Sequence, residues 1–158
     1  MTDAKPRPVI LIADDDSDDQ LLMREAFAER GHHCQTCFAH DGVQLMRMLN
    51  RELPLPGDPA ASCGYPDLIL LDLNMPLKDG REALREIKSD PRLQKIPTVI
   101  MTTSDDMDDI RYCYESGANS YIIKPSNYSE LLDVVSSLTN YWAATVRLPT
   151  RPERHDQQ

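Results

Sequence analysis

The chain has 158 residues, 41% hydrophobic and 27% charged, which suits one domain with a proper core. Its formal net charge is −9, and no basic patch offers to neutralise nucleic-acid phosphates. No apolar run approaches the ~18 residues of a membrane span and no signal peptide is visible, so the sequence predicts a cytoplasmic protein that binds neither nucleic acid nor membrane.

Val9–Ala13 (VILIA) is a continuous apolar run, as expected of a strand buried on both faces. Ser17–Arg30 follows with Leu22, Met23, Ala26 and Phe27 at helical spacing and Gly31 as the stop. Cys34–Ala39 reads as a weaker strand, and Asp41 can cap a helix carrying Val43, Leu45, Met46 and Leu49. Leu53–Pro66 holds four prolines and two glycines and reads as a long surface loop, spanning about 51–66.

Asp67–Leu71 (DLILL) is another doubly buried strand, ending at Asp72. Asp79-Gly80 precedes a helix with Ala83, Leu84 and Ile87 as its buried stripe, stopped by Asp90-Pro91. Thr98–Met101 forms the fourth strand; Ile110, Cys113, Tyr114 and Ala118 line the fourth helix, for which Ser104 is a possible cap. Ser120–Ile123 is the fifth strand, and a last helix carries Leu131, Val134, Val135, Leu138, Tyr141 and Trp142 along one side. Five strand–helix units predict an α/β fold: a doubly wound five-stranded parallel sheet with helices on both faces. The domain spans 1–148, and the polar residues 149–158 form a frayed tail.

The four cysteines, Cys34, Cys37, Cys63 and Cys113, are too few and scattered for a disulfide framework. Cys34 and Cys37 make a CxxC, but residues three apart on a strand point to opposite faces. Structural cysteines are expected, without zinc or redox work.

In an open parallel sheet, ligands bind beyond the carboxyl ends of the strands, near the reversal of strand order. The first strand ends in Asp14, Asp15 and Asp16, the third in Asp72, the fourth in Thr102 and the fifth in Lys124. Carboxylates brought that close repel each other and call for a cation. A hard divalent ion held by oxygens points to Mg2+, which favours a phosphate oxygen among its ligands. Lys124 and the Thr102 hydroxyl can take further phosphate oxygens, an arrangement suited to phosphoryl transfer. No Gly-rich loop for a nucleotide is present. Asp72 as nucleophile, taking the group from a donor supplied elsewhere, resolves this.

These residues carry a family resemblance. Ile12-Ala13-Asp14-Asp15, Leu70-Leu71-Asp72-Leu73-Asn74-Met75-Pro76 with Asp79-Gly80, Met101-Thr102-Thr103 and Lys124-Pro125 resemble the motifs of response-regulator receiver domains of two-component systems. The resemblance covers Pro8 to about Trp142. It implies the flavodoxin-like strand order 2-1-3-4-5, with Asp72 as phosphoacceptor. It also implies Mg2+ bound directly by Asp15, Asp72 and the Asn74 backbone carbonyl and largely through water by Asp14, with Thr102 and Lys124 contacting the phosphoryl group. Tyr121 matches the aromatic whose rotamer follows Thr102, and Asn74 and Ser104 match positions that tune aspartyl-phosphate hydrolysis. A cis Lys124–Pro125 bond is implied as well. The proline-rich insertion and the tail Tyr141–Pro149 resemble single-domain regulators that serve phytochrome-type histidine kinases, in which the last helix and tail often make a homodimer. Such a protein is not an enzyme on an outside substrate, and it signals to a protein partner or phosphorelay.

Rival readings exist. Asp72 alone could be a helix cap. Asp14–Glu25 fails as a calcium loop, because Asp19 stands where a glycine should turn the chain. A haloacid-dehalogenase-like phosphatase would need a cap and a later acidic pair, and would leave Asp72 and Thr102 without work. A receiver-like module that is never phosphorylated is opposed by the complete acid–threonine–lysine set.

Overall fold

The structure is a computed structural model and describes residues 7–31, 33–51 and 63–149. In chain order it runs β1 (Val9–Ala13), α1 (Ser17–Arg30), β2 (Gln35–Ala39), α2 (Gly42–Leu49) and β3 (Leu68–Leu71). It continues with α3 (Gly80–Ser89), β4 (Thr98–Thr102), α4 (Met107–Glu115), β5 (Ser120–Ile123) and α5 (Tyr128–Thr139). A π-helical segment, Asn140–Thr145, extends α5. The expected loop falls mostly on 52–62 and the expected tail on 150–158, both outside the described residues.

The five strands are parallel in the order β2-β1-β3-β4-β5, as the resemblance implied. Strand residues alternate between two cores. Leu11, Ala13, Ile69, Leu71 and Ile100 face α2, α3 and α4, packing on Leu45, Leu84, Ile87 and Cys113. Ile10, Ile12, Leu68, Leu70, Val99 and Met101 face α1 and α5, packing on Met23, Phe27, Leu131 and Val135. Each of the leucine, isoleucine, valine, methionine and phenylalanine side chains so removed from water contributes about 1.5–3 kcal/mol. β1, β3 and β4 are buried throughout, which is why they read as unbroken apolar runs.

Helix starts obey local chemistry. Asp16, Asp41, Asp79, Asp106 and Asn127 each accept backbone N–H bonds as N-caps. The cap of α4 is therefore Asp106, and the Ser104 hydroxyl is engaged elsewhere. Asp72 caps nothing, because Asp79 holds the start of α3.

Several expectations need correction. Leu22, Val43 and Tyr114 lie on exposed flanks of their helices, since the apolar stripes are wider than what covers them. The π-helical segment turns Tyr141 out to solvent, 52% exposed, while Trp142 packs on the α1/α5 core. No cis peptide bond occurs among the described residues, so Lys124–Pro125 is trans, the form that X–Pro bonds favour by about 0.5–1 kcal/mol. The cysteines are not all free: Cys37 and Cys63 form a disulfide with Cα atoms 5.9 Å apart. Cys37 faces the α2 side of β2, where the chain entering β3 passes beside it, and a separation of 26 residues hid the pairing. Cys34 does lie in the opposite core, so the CxxC is no chelate.

Candidate functional site

Strand register builds the site. Ala13 pairs with Leu71, so Asp14 and Asp72 emerge side by side one step beyond β1 and β3, where strand order reverses. Thr102 pairs with Ile123, so Lys124 emerges beside the end of β4. Backbone bonds fix the exits: Asp72 N–H donates to Ala13 O and Asp14 N–H to Ala39 O, both at 3.0 Å.

Asp14, Asp15 and Asp72 bring carboxylate oxygens within 4.8 Å of one another. Asp14 and Asp72 are buried and Asp15 is exposed, so the cluster opens on one side only. Asn74 N–H lies 3.4 Å from Asp72 Oδ1, and the Asn74 side chain is exposed. Lys124 Nζ spends its three protons on carboxylates: Asp14 Oδ2 at 2.8 Å, Asp19 Oδ2 at 2.8 Å and Asp72 Oδ2 at 2.9 Å. Thr102 is fully buried, and its Oγ1 has no hydrogen-bond partner among the described residues. An orphaned buried hydroxyl is costly unless a ligand oxygen meets it.

Burial raises the pKa of Asp14 above the ordinary aspartate value, against the lowering by Lys124 and the Asp16 N–H. Burial alone would lower Lys124, but its bonds to Asp14, Asp19 and Asp72 outweigh it and raise the pKa. Lys124 thus stays charged and only partly offsets the acids around it. A divalent cation fits this donor set of hard oxygens.

Asp19 escaped the sequence reading. It stands on the first turn of α1, where an acid reads as a dipole-complementing helix start; only its five-residue spacing from Asp14 hinted that it turns back over the strand end. Tyr121, on β5, is partly buried, and its hydroxyl donates to Ser104 O at 2.8 Å. A cavity of about 280 Å³ opens beside Asp72 and Lys124 and runs between α1 and α5. Among the described residues, no helix is long and apolar enough to cross a membrane.

Residues 10–136 match the family described as Response regulator receiver domain. The chain belongs to the response-regulator receiver family. Over 147 residues it is 37% identical to the response regulator Rcp1 of Synechocystis, covering 93% of this chain and 97% of that one. The phosphorylated cyanobacterial phytochrome response regulator RcpA superposes with a TM-score of 0.82 at 39% identity, covering 92% of this chain and 100% of that one. The Mn2+-bound form of Rcp1 superposes with a TM-score of 0.79 at 36% identity, covering 90% and 99%. The receiver is therefore a response regulator, and the acidic pocket is where receivers bind a divalent metal.

Proposed function

We propose that Asp72 is the phosphoacceptor, taking the phosphoryl group of a phosphohistidine on a phytochrome-type histidine kinase. Asp14, Asp15, Asp72 and the Asn74 backbone carbonyl would hold Mg2+. The observation that carries this reading is the meeting of three carboxylates with Lys124 and the orphaned Thr102 hydroxyl at one sheet edge. In the transfer the N–P bond of the donor breaks and an O–P bond to the Asp72 carboxylate forms. The bound cation supplies charge neutralisation and orientation of the phosphoryl oxygens. Lys124 then exchanges a carboxylate partner for a phosphoryl oxygen, and Thr102 Oγ1 donates the hydrogen bond that it lacks at rest. The chain promotes its own phosphorylation and dephosphorylation and acts on no outside substrate.

Incubation with acetyl phosphate or a phosphorylated kinase and Mg2+ tests this. Wild type should retain label and Asp72→Asn none. Label retained on Asp72→Asn sinks the assignment, and turnover of many small phosphoesters would favour a phosphatase.

The output is a protein contact or a further phosphorelay. The resemblance to regulators such as RcpA supports the phytochrome-type partner. A homodimer through α5 and the following residues is supported by the groove along Ile122, Val134, Leu138, Tyr141 and Trp142, where Tyr141 is exposed and Ile122, Val134 and Trp142 are partly so. Sedimentation should show a smaller mass for Trp142→Ala, and an unchanged mass would remove that residue from the interface.

A further inference from the structure

Gly80 starts α3 directly against the phosphoacceptor strand. Its N–H donates to Leu73 O at 2.8 Å, and a Cβ there would lie 2.1 Å from Asp72 O. The next residue, Arg81, reaches across to α4. Its Nε and Nη2 donate to Asp109 Oδ1 at 3.0 and 2.8 Å, and Nη1 donates to Asp79 Oδ2 at 3.1 Å. The other Asp109 oxygen accepts from the Ser104 hydroxyl at 2.7 Å. Ser104 is thereby fixed by its side chain while its carbonyl receives the Tyr121 hydroxyl. Asp109 is held below the usual carboxylate range, first by Ser104 and then by Arg81, so the pairing persists at neutral pH.

We infer that Arg81 is a positioning residue for the switch: by clasping Asp109 it holds Ser104 where the inward Tyr121 hydroxyl finds its acceptor. The clasp joins the backbone at Asp72 to Tyr121 by a route outside Thr102, so Tyr121 answers to α3 as well as to the threonine. Both partners are partly exposed, Arg81 at 29% and Asp109 at 22%, so the clasp is modest in strength and open to competition from solvent.

The inference rests on the receiver reading, and its test separates the two. Protein carrying 3-fluorotyrosine is followed by fluorine NMR, with the Tyr121 signal assigned from Tyr121→Phe. In the unphosphorylated protein, Arg81→Ala and Asp109→Ala should each move that signal toward the solvent-exposed position. Each should weaken the affinity for beryllofluoride, a phosphoryl mimic, by roughly threefold, in keeping with a partly exposed ion pair. The double variant should be no worse than either single one, and Arg81→Lys should retain part of the effect. An unmoved Tyr121 signal in both single variants overturns the clasp. Additive effects overturn it as well, since they report two unrelated surface changes. Failure of wild type to bind beryllofluoride would instead overturn the receiver chemistry, with the Tyr121 signal still reporting on Arg81.

Discussion

The two edges of the sheet are built to opposite ends. At β2 the inner residues Cys37, Phe38 and Ala39 are buried, and the Cys37–Cys63 bond ties the strand to the chain that enters β3. At β5 no residue is fully buried, Ile123 is 49% exposed, and the strand carries Tyr121 and leads into Lys124. Asp14 and Asp72 follow directly on the central strands between these edges, and both are buried. Covalent and apolar anchoring is thus concentrated at the β2 edge, while the β5 edge is the more exposed to solvent.

Breaking the β5 end should have the largest effect. Lys124→Ala leaves Asp14 and Asp72 without their cation, and in metal-free protein should cost about 3–5 kcal/mol in denaturant unfolding. Part of that loss should return on adding Mg2+. At the β2 edge, Cys37→Ser should cost about 2–4 kcal/mol under oxidising conditions and little in excess dithiothreitol. A smaller effect is expected at the centre. The raised pKa of Asp14 means the folded state binds its proton more tightly than the unfolded chain does. That stabilisation is present below the ordinary value of 3.8 and is lost as pH rises through the raised value. At neutral pH, Asp14→Asn should therefore raise the melting temperature of metal-free protein by a few degrees, and lower it relative to wild type when Mg2+ saturates. The same melting curve without Mg2+ at pH below 3.8 should show the gain disappear. The smallest effect belongs to Ile123→Ala, within about 0.5 kcal/mol of wild type, because Ile123 is already 49% exposed at the sheet edge.

Most of the frame was legible because β1, β3 and β4 are buried on both faces and each ends in a residue with chemistry. Asp14, Asp72, Thr102 and Lys124 could be placed at one edge from chain order alone. What stayed hidden depends on contacts between distant segments. The Asp109–Arg81 pair spans 28 residues, and Cys37–Cys63 spans 26. Nothing local to either partner announces the other. Periodicity also overreached: a 3.6-residue stripe placed Tyr141 with Leu138, but the wider π-helical turn after Thr139 breaks that phase.

Gly80 sets a limit on how closely α3 can be packed against Asp72. A methyl group at position 80 would meet the Asp72 carbonyl oxygen and the Leu73 Cα, both main-chain atoms with nowhere to rotate. Between the end of β3 and the first turn of α3 the two main chains thus approach so closely that only glycine fits, and the Gly80 N–H bond to Leu73 O ties them together, so any larger residue at position 80 must displace the segment that carries Asp72.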